Sequence, residues 1–288
     1  LTAKEKSAIQ YAYQKIAESL PELKIVIATY FDALLDNTAL AVALPVAALH
    51  IDLVRAPQQL ETVLSQIPAS LSLSLGVVDG RNVWKNNYKA SLELIGKAVG
   101  KIGEERIIIA PSCSLLHSPI DLDEETSIDP EIKNWMAFAK QKLSEVAALK
   151  EIVKGNTALL EANTAAMNAR KSSHKVHKQA VKDRLDAITD KDANRNSPFA
   201  VRQQLHHARF QFPSFPTTTI GSFPQTDDIR QLRAQFKKGI LTEQQYEAAI
   251  EAAATDVIKW QEEIGLDVLV HGAFERNDMV EYFGDQLD

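Results

Sequence analysis

Phe215-Pro-Thr-Thr-Thr-Ile-Gly-Ser-Phe-Pro-Gln-Thr226 and Leu266-Asp-Val-Leu-Val-His-Gly272 decide how this chain is read. Thr217-Thr-Thr-Ile220 is a β-branched run that reads as a strand. Gly221-Ser-Phe-Pro224 is a loop at its C-terminal end. Asp227 and Asp228 stand where either caps the next helix or favours its N-terminus. A second helix is expected over about 242–264, stopped by Gly265. Asp267-Val-Leu-Val270 reads as the next strand, and His271-Gly272 opens its loop. The order β–α–α–β is that of an opening α/β barrel. Phe212-Pro-Ser-Phe-Pro216 marks the boundary before it, because a proline disfavours helix at the residue preceding it.

The same pattern lies upstream. Four strand-like runs occupy 24–30, 47–53, 71–77 and 106–111, with helical patterns at 31–42, 57–66, 86–99 and 130–153 between and after them. This alternation argues for βα units and a parallel sheet. Four such units are half of an eight-stranded barrel. Residues 1–22 read as a helix, with Tyr11, Ile16 and Leu20 on one face and Pro21 at its end. From 154 to about 210 strand signals vanish and helix formers dominate. Arg170, Lys171, Lys175, Lys178, Lys182 and Arg184 crowd this stretch with His174 and His177. A solvated helical linker is the plainer account, and attraction of an anionic substrate tail is the functional one. The chain is therefore expected to be α/β: parts of two (β/α)8 barrels at 1–153 and 213–288, joined by a helical linker at 154–212.

Composition narrows the class. The 288 residues are 45% hydrophobic and 24% charged, ordinary for a globular chain able to bury a large core. Apolar runs such as Ile107-Ile-Ile-Ala110 are strand-sized, so no segment is expected to span a bilayer. A net charge of −6 and a basic stretch without interleaved aromatics do not favour nucleic acid. A single cysteine, Cys113, excludes an intramolecular disulfide and fits a reducing cytoplasm. The chain begins with Leu1 and no leader pattern follows, so its start reads as internal.

Polar residues cluster after the strands, where barrel enzymes place their ligand groups: Asp32, Asp52, Asp79 with Arg81 and Asn82, and Ser112 to His117. Ile220-Gly221-Ser222 can present backbone N–H and C=O groups and a hydroxyl to the two ends of an amino acid. A tight strand-to-helix turn explains the same residues. His271-Gly-Ala-Phe-Glu275-Arg276-Asn277-Asp278 packs many polar groups into one loop. Internal Arg–carboxylate pairing is its plainer account. His271 suits a base, a metal ligand or a hydrogen-bonded histidine at the barrel mouth. Cys113 with His117, near Asp121, and His50 with Asp52 on one strand face, invite zinc or metal-hydrolase readings. Two ligands do not make a site, and a structural loop accounts for Cys113 and His117.

The runs 216–226, 265–272 and 275–284 together resemble the start of the catalytic domain of the cobalamin-independent methionine synthase family. Gly80-Arg-Asn-Val-Trp84 and Ser112-Cys-Ser-Leu-Leu-His-Ser-Pro-Ile-Asp121 resemble the late part of that family's N-terminal barrel, and the basic helical segment its linker. The resemblance covers essentially the whole chain. It implies two face-to-face (β/α)8 barrels in a much longer polypeptide. It implies methyl transfer from 5-methyltetrahydropteroyl polyglutamate, a folate, to homocysteine, giving methionine with zinc and without cobalamin. Zinc would hold the thiol as thiolate, and an acid would protonate the leaving folate nitrogen. Ile220, Gly221 and Ser222 match the family's homocysteine-binding turn. The zinc ligands and the proton-donating histidine are expected beyond Asp288, so no catalytic or metal residue is assigned here. Where the family has His-Gly-Glu, this chain has His271-Gly272-Ala273, and the expected partner of the homocysteine amino group is missing. Two other outcomes stay in view. One is a catalytically silent fragment that associates through open sheet edges. The other is a single-barrel metal hydrolase using His50, Asp52, His117 and His271.

Overall fold

The computed structural model describes residues 1–284 and 287. The chain divides into two compact units, Leu1–Asp186 and Ala187–Asp288. The first is α/β. Its strands β1 (Val26–Ala28), β2 (Ala48–Asp52), β3 (Ser72–Val78) and β4 (Ile107–Pro111) form one parallel sheet in the order β1-β2-β3-β4. Helices α2 (Thr38–Ala43), α3 (Gln59–Gln66) and α4 (Tyr88–Ile102) run between them. Chain neighbours are thus sheet neighbours, as repeated βα units require.

β2 is buried along its whole length and β3 along all but its first residue. Such strands read as nearly continuous apolar runs because both faces of a parallel sheet are covered. Leu49, Ile51, Leu73, Leu75 and Val78 are fully buried and pack with Leu60, Val63, Ile95 and Leu149 from the helices. Each such side chain contributes about 1.5–3 kcal/mol of burial. The outer strands are less covered, with Val26 and Ile108 exposed.

Local chemistry sets the helix bounds. The first helix, α1 (Ala3–Ser19), starts in a capping box of Thr2 and Glu5. It buries no residue, and Tyr11, Ile16 and Leu20 are exposed. The helix expected over 31–42 is shortened to a 3-10 turn at Leu35–Asn37 followed by α2. Phe31 and Leu35 have φ of 77° and 47°, which interrupts any helix there. The helix expected over 130–153 is split into α5 (Pro130–Lys133) and α6 (Ala139–Val153). Between them Trp135, Ala137 and Phe138 are buried. The backbone there turns to pair with the segment after β3: Lys85 N–H donates to Trp135 O and Ala137 N–H to Val83 O.

The stretch expected as linker begins with α7 (Thr157–Ser172), which packs on α4 and α6 within the first unit. Asn163 on α7 donates to Asn86 O at 2.8 Å and accepts Tyr88 N–H at 3.0 Å. Arg170 lies 3.9 Å over the Trp84 ring, and Lys175 pairs with Asp129 and Glu131. α8 (Gln179–Asp186) closes the unit.

The second unit holds α9 (Phe199–Phe210), α10 (Asp227–Lys237), α11 (Glu243–Glu263) and α12 (Met279–Gly284). Thr226 and Thr242 cap α10 and α11, and Gly265, with φ of 80°, follows the end of α11. The runs 217–220 and 267–270 lie side by side but form no ladder. Side chains take the groups a ladder would use. The Thr217 N–H and hydroxyl both donate to Asp267 Oδ2, at 2.7 and 2.8 Å, holding that carboxyl below its ordinary pKa. One backbone bond, Val268 N–H to Thr217 O, joins the two runs at 3.0 Å.

Candidate functional site

In the first unit the loops after β1–β4 carry the polar residues expected there. Asp52 is buried at the end of β2. Its Oδ2 accepts Phe31 N–H at 3.0 Å, and its Oδ1 accepts Val54 and Arg55 N–H at 2.9 Å each. His50 is buried too, with Nδ1 2.9 Å from Ser74 Oγ and Nε2 3.1 Å from Ser112 O. Both residues are committed to shaping the sheet's C-terminal end. Asp79 receives Arg81 N–H and Asn82 Nδ2–H. Asn82 Oδ1 in turn accepts from Lys142, a fully buried lysine of α6 that also donates to Trp84 O. Burial pulls the Lys142 ammonium below its ordinary pKa. The β3–α4 loop is therefore fixed from behind by α6 and α7. Lys142 and Asn163 are helix residues with no local motif, and the sequence pattern did not mark either.

Cys113 is buried, and burial pushes its thiol up, away from reactivity. Asp32 caps its own loop through Ala33 N–H. Asp121 is held down to about 2 by the Lys140 ammonium and the Gln141 amide. The structure therefore gives these groups local partners and does not gather them into a ligand set. Among the described residues no group of three or more His, Cys, Asp or Glu is placed to hold a metal ion. His50 and Asp52 are spoken for by hydrogen bonds, which removes the basis of the metal-hydrolase reading.

In the second unit the two segments singled out from the sequence meet. Phe223 N–H donates to Gly272 O at 2.9 Å, which seats the Ile220–Ser222 turn beside the 271–273 loop. Ile220 and Ser222 are exposed, and Gly221 has φ of 136°, open only to glycine without strain. Ala273 is buried with φ of 56°. Its N–H faces His271 Nδ1 at 3.3 Å, and His271 Nδ1 lies 3.5 Å from Glu275 Oε2. Arg276 pairs with Glu275 at 3.4 Å, the internal pairing weighed for this loop. Asp278 turns inward to accept the amides of Val280 and Glu281 at the start of α12.

Three residues that the sequence reading missed hold this loop. Gln261 is fully buried on α11. Its amide accepts Val270 N–H at 3.0 Å and donates to Val270 O at 2.7 Å, as a neighbouring strand would. Arg233 donates to Phe274 O and Gln225 to Arg276 O. The loop after 267–270 is thus built largely by side chains from α10, α11 and the 221–226 segment.

Two family models match the chain. One, described as cobalamin-independent synthase, N-terminal domain, matches residues 1–103. The other, cobalamin-independent synthase, catalytic domain, matches residues 215–288. Curated relatives include proteins named 5-methyltetrahydropteroyltriglutamate–homocysteine methyltransferase from Cytophaga hutchinsonii and Flavobacterium johnsoniae. Each is 52% identical over all of this chain, which spans 38% of its length. A protein of the same name from Rhodopseudomonas palustris is 49% identical over all of this chain and 37% of its own length.

Proposed function

Because this chain belongs to the cobalamin-independent synthase family, we propose that it is a segment of a methyltransferase acting between a 5-methyltetrahydropteroyl polyglutamate and homocysteine. The four parallel βα units at the start belong, on this reading, to a (β/α)8 barrel, and the residues from about 213 open a second one. No helix among the described residues is long and apolar enough to cross a membrane. The single cysteine, Cys113, fits a reducing cytoplasm, where we place the enzyme.

The observation that carries the reading is the Phe223–Gly272 hydrogen bond. It brings the Ile220-Gly221-Ser222 turn and the His271–Ala273 loop onto one edge. Homocysteine would lie there, its amino-acid end against the Gly221 backbone and the Ser222 hydroxyl. Those groups bind and orient. The zinc implied by the family does not fit the residues present. His271 and Glu275 offer two donors, a zinc site takes three or four protein ligands, and Arg276 already shares Glu275. No chemical step is therefore assigned to a metal on this chain.

In the full-length protein, a methyl label on methyltetrahydropteroyl triglutamate should appear in methionine when homocysteine is supplied. Absence of the label overturns the assignment. Ala273→Glu restores an acceptor for the substrate's ammonium. A charge-assisted hydrogen bond contributes about 1.5–3 kcal/mol, so homocysteine should bind roughly 10- to 150-fold more tightly. The left-handed backbone costs glutamate no more than the alanine already there. Unchanged affinity would remove position 273 from the amino-acid site.

A further inference from the structure

Two neighbouring residues near the end of α11 meet the two halves of the substrate edge. Gln261 is fully buried, and its whole amide is spent on backbone. Nε2 donates to Val257 O at 3.0 Å and to Val270 O at 2.7 Å, while Oε1 accepts Val270 N–H at 3.0 Å. Trp260 stands edge-on to Phe223, with ring centroids 6.0 Å apart. Phe223 is the residue whose N–H donates to Gly272 O at 2.9 Å. The end of one helix thus reaches the 271–273 loop through Val270 and the 220–222 turn through Phe223. No ladder fixes the spacing of the two halves here. The backbone bond between their parent runs, Val268 N–H to Thr217 O, lies at the beginning of each run.

A buried amide is tolerated only while its hydrogen bonds are made. Gln261 meets that condition only with Val270 in one place, because a shift of about 1 Å takes both of its bonds to Val270 out of hydrogen-bond range. We propose that Gln261 is a positioning residue, which sets the distance between position 273 and the Ser222 hydroxyl and so fits the edge to the amino-acid end of homocysteine. It touches no substrate. It acts through Val270 and, two residues on, the Gly272 carbonyl that receives Phe223. The proposal rests on the homocysteine reading of this edge.

The test is steady-state kinetics of the full-length protein with homocysteine varied and then with the methyl donor varied, in the parent, Gln261→Leu and Gln261→Glu. Each variant is assayed where circular dichroism shows it folded. Gln261→Leu should lower kcat/KM for homocysteine by roughly 10- to 100-fold, the scale of about 1 Å of misplacement. The KM for methyltetrahydropteroyl triglutamate should stay unchanged. Gln261→Glu keeps an acceptor for Val270 N–H. Protonated, it can also donate to Val270 O, whereas ionised it sets a carboxylate against that carbonyl. Its kcat/KM for homocysteine, relative to the parent, should therefore fall as pH rises. The proposal is overturned if Gln261→Leu leaves homocysteine unaffected, if both KM values rise equally, or if the Gln261→Glu ratio is flat with pH. Where Gln261→Leu does not fold, Gln261→Glu decides. If neither folds, the amide serves the fold alone and the proposal fails. A parent that transfers no methyl group to homocysteine sinks the methyltransferase reading itself, and this proposal with it.

Discussion

Gly76 in β3 shows how tightly single residues are specified. A Cβ built there would lie 2.8 Å from Ile51 O and from Ser112 Cα, and 2.9 Å from His50 Cε1. Two of those neighbours are backbone and cannot swing aside. Gly76→Ala should therefore destabilise the first unit by about 1–3 kcal/mol, read as a lower denaturant midpoint at unchanged slope. A neutral result would mean that β2 and β4 can move apart. Glu145 makes the electrostatic case. Its Oε1 accepts Asn86 N–H at 2.8 Å, its Oε2 is buried without a partner, and burial raises its pKa above 4.5. A raised folded pKa means that the stability it confers is complete below the unfolded value and is lost as pH rises through the folded one. Glu145→Gln keeps the Oε1 acceptor and cannot ionise. As pH rises above the ordinary carboxylate range it should lose less stability than the parent. Parallel pH profiles would show that Glu145 titrates normally. Neither effect was legible beforehand. A glycine within a strand run hints at close approach, but the atoms it meets come from two other strands. Glu145 lies in a helix like any surface glutamate until Asn86, 59 residues away, is brought to it.

Elements were legible where local chemistry decides them. The helices expected over 1–22, 86–99 and about 242–264 are found as α1, α4 and α11, and the runs of β2 and β3 read as strands, whereas Thr226, not Asp227 or Asp228, caps α10. Elements failed where side chains override the pattern. The 130–153 run looks helical throughout, yet Trp135 and Phe138 gain more from burial than from continuing the helix. The 217–220 and 267–270 runs look like strands, yet Asp267 and Gln261 take their backbone groups. Gln261→Leu tests the second case. Leucine keeps much of the volume and leaves the half-buried Val270 N–H and C=O without their Gln261 partner, at about 1 kcal/mol for each group. The loss should appear as faster hydrogen exchange at Val270 and through the 271–274 loop, with the first unit unaffected. Unchanged exchange at Val270 would show that the amide does not substitute for a strand. The candidate site shares this dependence. Its residues Ile220, Gly221 and Ser222 could be picked out by local motif, whereas the support from Gln261, Arg233 and Gln225 is purely tertiary.

At the scale of the whole molecule, the segment between α8 and α9 is where the two compact units separate. Its hydrogen bonds are local: Thr189 with Asp192, and Asn194 with Asp190. Lys191 and Arg195 are exposed within it. The basic residues just upstream differ. Arg170 is stacked on Trp84, and Lys175 is held by Asp129 and Glu131, so α7 and its exit are part of the first unit. The sequence showed one basic, strand-free stretch and could not divide it, because the partners that divide it lie 40 or more residues away, at Trp84 in the loop after β3 and at the start of α5. A protease needs several residues of unfolded backbone, so cleavage follows local opening rather than charge. Brief trypsin treatment should cut first at Lys191 and Arg195 and leave a long-lived product that begins at Leu1 and retains α7. Arg170→Ala removes the stack on Trp84 and should allow the cuts to spread back to Lys171 and Lys175. If the native chain is cut as fast at Lys171 as at Lys191, α7 is not anchored to the first unit, and the latch on the β3–α4 loop fails with it.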